Sequence, residues 1–130
     1  MKKLIFIRHA RAEDQQSGIS DFERSLTVKG KITSREMARR FKERENSTGL
    51  FVTSPAFRAL ETAYIFAGEL GVRHEDIRVN SDLYFRPDMR HILDFLKTIS
   101  DDVDTITFFG HNPSFTELPD RLCKEGCEFL

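Results

Sequence analysis

Three short apolar runs constrain what this chain can fold into. Leu4-Ile5-Phe6-Ile7, Leu50-Phe51-Val52-Thr53 and Thr105-Ile106-Thr107-Phe108-Phe109 are rich in β-branched and aromatic residues and too short for helices, so each reads as a buried strand. Stretches with helical spacing separate them. The first is predicted over Val28 to Arg44, with Thr27 as N-cap and Gly30, Ser34, Met37, Ala38 and Phe41 on one face. Ser54-Pro55 opens the second, Ser54 as cap and Pro55 at the first helical position. Its apolar stripe is Phe57, Leu60, Tyr64 and Ala67, with Ala59, Ala63, Phe66 and Leu70 beside it, and Gly71 ends it. A third helix begins near Pro87 or Asp88 and buries Met89, Ile92, Leu93 and Leu96. A fourth follows Asn112-Pro113, and Pro119 is expected to interrupt it early. Ile77-Arg78-Val79 reads as a brief edge strand, Arg11 to Ser25 and Asn80 to Pro87 as loops, and Asn46-Ser47-Thr48-Gly49 and Asp101 to Asp104 as turns. Strands alternating with helices imply an α/β fold of three layers, a mostly parallel sheet with helices on both faces.

At 130 residues the chain suits one domain, 1–130, with a real core. Charged residues are 32% of it, yet the formal net charge is -1, which gives nucleic-acid binding no support. Only four apolar residues stand between Lys3 and Arg8, too few for the hydrophobic region of a signal peptide, and no window approaches the roughly 20 apolar residues of a membrane span. A cytoplasmic protein with no membrane partner is expected. Cys123 and Cys127 lack partners at zinc-ligand spacing, so reduced thiols are expected rather than a disulfide or a metal site. With 12 Phe and no Trp, the phenylalanines read as core, except Phe85, which reads as a wall of a crevice.

All three strand-like runs end in polar residues of one chemical character. Arg8-His9 follows the first, Ser54 the second with Arg58 one turn on, and His111-Asn112 the third. In a parallel sheet these ends share one edge, where open α/β sheets bind ligands. Two arginines and two histidines converging there suit a tetrahedral dianion, because guanidinium groups donate bidentate bonds to phosphate oxygens and helix N-termini offer unpaired N–H groups. His74 and His91 fall outside these segments and read as structural, and the charged run Arg39 to Glu45 reads as a solvated helix end.

Arg8-His9-Ala10 with Ala12 and Glu13, the segment Asp21-Phe22-Glu23-Arg24-Ser25-Leu26-Thr27, Gly30, Ser54-Pro55-Ala56-Phe57-Arg58-Ala59, Thr62-Ala63 and Gly110-His111-Asn112-Pro113 together resemble the histidine phosphatase superfamily, and within it the small phosphohistidine phosphatase-like branch. The resemblance implies a phosphoglycerate mutase-like fold and a covalent mechanism with no metal and no cofactor. It implies His9 as nucleophile, with Arg8, Arg58 and His111 binding the equatorial phosphoryl oxygens. Arg24 matches a basic position that contacts substrate or orders its loop, and Asn112 is placed to offer a backbone N–H to phosphate. The family pattern is broken in two places. Larger relatives supply a carboxylate acid before the third helix, where this chain has Leu83-Tyr84-Phe85-Arg86-Pro87-Asp88; that leaves Glu13, Asp21 and Asp88 as candidates for the leaving-group acid. Relatives also continue into a further strand, whereas this sequence stops at Phe129-Leu130, so the expectation is either a trimmed sequence or a domain lacking the family's C-terminal strand. The expected function is a metal-independent phosphatase acting on phosphohistidine in a protein. The alternatives are a small-molecule phosphomonoesterase and a phosphate-binding module with impaired turnover.

Overall fold

The computed structural model describes residues 2–122 other than 46, 48 and 86. Cys123, Cys127, Arg86, the Phe129-Leu130 end and two residues of the Asn46-Ser47-Thr48-Gly49 turn therefore lie outside the described residues. Strands β1 (Lys3–Arg8), β2 (Leu50–Thr53), β3 (Arg78–Val79) and β4 (Thr105–Gly110) form one sheet in the order β1-β4-β2-β3, parallel throughout. Helices α1 (Val28–Arg44), α2 (Phe57–Leu70), α3 (Met89–Lys97) and α4 (Ser114–Leu122) cover it. The strand period of two divides the core. Ile5, Ile7, Phe51 and Phe109 pack with Ala38 and Phe41 of α1 and with Ala63, Phe66 and Ala67 of α2. Val52, Ile106 and Phe108 face the other way, onto Ile92 of α3 and Phe115 and Leu118 of α4. The expected three-layer α/β architecture is the one observed.

Local signals placed several boundaries. Thr27 caps α1 by accepting from the backbone N–H of Gly30 at 2.9 Å, and Gly71 closes α2 in the left-handed region at φ 77°. Asp88 caps α3 by accepting from the His91 N–H at 3.1 Å. Other expectations fail for physical reasons. Ser54 does not cap α2, and Pro55 is not its first residue: the helix starts at Phe57 with Ala56 as N-cap, and the buried Ser54 hydroxyl turns instead toward His111. The buried face of α2 is Arg58, Ala59, Thr62, Ala63, Phe66 and Ala67, while Phe57 and Tyr64 are exposed, because small residues let α2 approach the sheet and α1 closely. Leu93 of α3 is exposed, its place against the core taken by Phe95, and Pro119 sits within α4 without ending it. There the burial of Phe115, Leu118 and Pro119 outweighs the missing ladder bond. The loop after β1 carries a 3-10 turn at Asp21–Glu23 and an antiparallel bridge from Ala12 to Leu26.

Two glycines permit the contacts that set the sheet edge. A side chain at Gly110 would collide with the Phe115 ring, its Cβ falling 2.4 Å from that ring, so only glycine lets α4 sit this close to the end of β4. At Gly30 a Cβ would lie 2.2 Å from the Arg11 carbonyl oxygen. That same oxygen accepts from the Thr27 N–H at 2.9 Å, so the segment leaving β1 is clamped to the start of α1. Gly30→Ala should therefore destabilise the fold by about 1–3 kcal/mol, even though alanine alone favours a helix by about 1 kcal/mol. Equilibrium urea unfolding measures this, and a midpoint at or above that of the parent chain would contradict the clamp.

Candidate active site

The carboxyl ends of β1, β4 and β2 are stitched together past their last ladder pairs. His9 N–H donates to the Gly110 carbonyl at 3.0 Å, Ser54 N–H to Phe109 at 2.9 Å and Asn80 N–H to Thr53 at 2.9 Å. The chain leaves β1 for α1 on one face of the sheet and leaves β4 for α4 on the other, so the crevice between these neighbours is a topological switch point. His9 and His111 meet there with ring centroids 5.2 Å apart and planes at 60°.

His9 Nδ1 lies 2.7 Å from the carbonyl oxygen of Ala10. A carbonyl only accepts, so Nδ1 carries the proton and Nε2 presents a lone pair. Burial lowers the His9 pKa below 6.5; the Ala10 bond opposes this, and the guanidinium groups of Arg58, Arg8 and Arg24 push it down further. His111 is held more firmly neutral, its pKa brought down to about 3 by burial, then by Arg58 and His9. Its Nε2 is 2.8 Å from the Ser54 hydroxyl, and its buried Nδ1 has no hydrogen-bond partner. The Tyr84 ring stands edge-on to His111 at 5.8 Å and to Phe22 at 5.3 Å, and Phe22 meets Phe57 at 5.9 Å, so aromatic edges wall one side.

Arg58 points from the first turn of α2 and is only 7% exposed. Its Nη1 donates to the Asp21 carbonyl at 2.6 Å and its Nη2 to Asp21 Oδ2 at 3.0 Å. Arg24 Nη1 donates to Asp21 Oδ1 at 2.7 Å and its Nε to the Glu13 carbonyl at 2.7 Å, while Tyr84 Oη donates to Asp21 Oδ2 at 2.8 Å. Burial opposes ionisation of Asp21, but the bonds from Tyr84, Arg24 and Arg58 outweigh it and bring its pKa to about 2.

The structure thus brings His9, His111, Arg58 and Arg24 to one crevice, with Arg8 exposed at its edge and within electrostatic reach of His9. Asn112 is exposed, and its side-chain oxygen accepts from the Thr116 hydroxyl at 2.9 Å. Neither Asp21 nor Asp88 is a protonated carboxyl held over the crevice. Asp21 is locked in its ionised form, Asp88 is exposed at the α3 cap with its pKa lowered by the His91 N–H, and Glu13 meets the site through its backbone carbonyl. Sequence reasoning missed the partnership of Ser54 with His111 and the role of Tyr84. The Asp21-x-x-Arg24 spacing in a turn was the one signal for the ion cluster. Among the described residues no group of His, Cys, Asp and Glu side chains could hold a metal ion, and no helix is long and apolar enough to cross a membrane.

The fold aligns with known structures over nearly all of the chain. It matches the SixA protein of Agrobacterium tumefaciens at 22% identity and TM-score 0.83, over 95% of this chain and 78% of that one. The protein histidine phosphatase SixA complexed with tungstate matches at 24% identity and TM-score 0.84, over 98% and 81%. The ecdysone phosphate phosphatase of Bombix mori, also in complex with tungstate, matches at 13% identity and TM-score 0.70, over 100% and 82%. No curated protein matches by sequence. The family model of the histidine phosphatase superfamily (branch 1) matches residues 4–83, a span that includes Arg8, His9, Asp21, Arg24, Ser54 and Arg58. With strand ends, histidine pair and arginines in this arrangement, the chain belongs to the histidine phosphatase superfamily.

Proposed function

We propose that this chain is a metal-independent phosphatase that passes a phosphoryl group through Nε2 of His9, and that its substrate is phosphohistidine in a protein. Nε2 attacks phosphorus with its lone pair, the bond from phosphorus to the leaving group breaks, and His9 becomes a phosphorylated imidazolium whose Nδ1–H still donates to the Ala10 carbonyl. Water then attacks phosphorus and the bond to Nε2 breaks. The water's proton passes to the phosphate oxygens, and His9 returns as the same neutral tautomer. Arg8, Arg58 and His111 bind the equatorial oxygens, the two guanidinium groups carrying the charge that spreads over them in the transition state. Arg24 adds positive charge beside them, and Asn112 lies at the same edge to offer its backbone N–H. Two neighbours of the same fold are complexed with tungstate, a tetrahedral oxyanion, which supports an oxyanion site in this fold.

One observation carries the substrate class: Asp21, the candidate acid whose carboxylate reaches the arginines of the crevice, is held ionised by Tyr84, Arg24 and Arg58. An alkoxide needs a proton as it departs, whereas a phosphohistidine protonated on its distal ring nitrogen leaves as neutral imidazole. The site therefore suits a phosphoramidate better than an alkyl phosphate. Phosphorylated histidine-containing proteins mixed with the enzyme in chelator should label His9, and His9→Ala should lower turnover by about 10^3-fold or more. Faster hydrolysis of an alkyl phosphate than of a phosphohistidine peptide would favour a small-molecule phosphomonoesterase. Phosphate binding without any turnover would leave a binding module.

The pH dependence has a definite sign. His9 attacks only when neutral, and its pKa lies below 6.5, so the nucleophile persists as pH falls through 6.5 and is lost only at lower pH. The acid limb of kcat/KM, corrected for the substrate's own ionisation, should therefore lie below 6.5. A limb at or above 6.5 would show that the arginines and burial do not act on His9 as described.

A further inference from the structure

Asp21 is the point at which the loop after β1, helix α2 and the segment after β3 meet. Its Oδ1 accepts from Arg24, its Oδ2 from Arg58 and Tyr84, and its backbone carbonyl from Arg58 again. Both terminal nitrogens of the Arg58 fork are thus held by one residue. A guanidinium group has five N–H donors. Two of those on Arg58 are spent on Asp21; two on Arg24 are spent on Asp21 and on the Glu13 carbonyl. The remainder of each is left for an anion.

We propose, building on the phosphatase reading above, that Asp21 is a positioning residue: its carboxylate sits between two guanidinium groups that would otherwise repel, and aims both at the phosphoryl group on His9. Arg58 is nearly buried whereas the Asp21 side chain is 47% exposed, so the loop brings its carboxylate to a cation already fixed by α2. Tyr84 donates to Oδ2, the same oxygen that Arg58 binds, and so restrains the carboxylate from a third element. The same negative charge acts on His111, and so reaches the crevice. It must therefore oppose the binding of a phosphate dianion at rest while it holds the arginines in the geometry that the transition state uses. Asp21 trades affinity for bound phosphate against rate, and this speeds release of the product.

The two effects have opposite signs, which makes the role testable. Asp21→Asn keeps the size and one oxygen acceptor but removes the charge. Its kcat should fall about 10- to 100-fold, while inorganic phosphate, read as a competitive inhibitor or by calorimetry, should bind about 3- to 10-fold tighter. Tyr84→Phe removes one donor to Oδ2 and leaves every charge in place. It should lower kcat by about 3- to 10-fold with phosphate affinity unchanged, and it keeps the proposal falsifiable if Asp21→Asn does not fold. A wild-type kcat in either folded variant would overturn the proposal, as would a loss of phosphate binding in Asp21→Asn that parallels the loss of rate. If the parent chain neither turns over nor labels His9, it is the phosphatase reading that fails. Phosphate titration of the parent and Asp21→Asn then decides the role of Asp21 alone: tighter binding in the variant upholds it, equal or weaker binding overturns it.

Discussion

Strand β4 is the member on which the rest depends. Every one of its residues from Thr105 to Gly110 is buried, with β1 on one side and β2 on the other. A parallel strand in this position can be stable only if helices cover both faces of the sheet, and the burial of Ile106, Phe108 and Phe109 contributes about 2 kcal/mol apiece toward that. Because β4 comes last in sequence of the strands among the described residues and lies between the first two, the chain must return into its own sheet. The return places His111 between the segments that carry His9 and Ser54, and the Gly110 and Phe109 carbonyls accept the N–H groups of those two residues. The site is a direct result of how the sheet is closed.

Charge is arranged around that frame in layers. The histidines nearest the strand ends are kept neutral, mainly by burial and then by the arginines. Arg58 is nearly buried and would be costly without a partner, and the exposed loop brings it Asp21. The positive charge of Arg8 and Arg58 and the negative charge that makes it tolerable at rest come from different parts of the chain. The first is fixed by helix and sheet, the second by a loop whose return is anchored by the Ala12 to Leu26 bridge and by the Leu26 N–H donating to Glu61 at 2.8 Å.

What could be read from the sequence divides along the distance over which each interaction acts. Thr27 and Gly71 mark helix ends because a cap involves only the next few residues, and the strands ending at Arg8, Thr53 and Gly110 show themselves as apolar runs. Ser54 looks like a helix cap by the same local logic and is instead taken by His111, 57 residues away. Asp21 invites a reading as an acid until Arg58 and Tyr84, 37 and 63 residues away, are brought to its carboxylate. The faces of α2 and α3 fail similarly. Periodicity places Phe57 and Leu93 on apolar stripes, but only packing decides which stripe meets the sheet.

The phenol of Tyr84 has one more consequence. The chain has no tryptophan and two tyrosines, so emission excited beyond the phenylalanine absorption band comes from its phenol groups. Tyr64 lies exposed against His74, whereas Tyr84 donates to a carboxylate beside the phosphoryl crevice. A hydrogen-bonded carboxylate quenches phenol fluorescence, so any movement of Asp21 as an anion settles against the arginines changes the light the protein emits. The emission of Tyr84 is thus tied to the place of the Asp21 carboxylate, and it can be followed without label or substrate analogue.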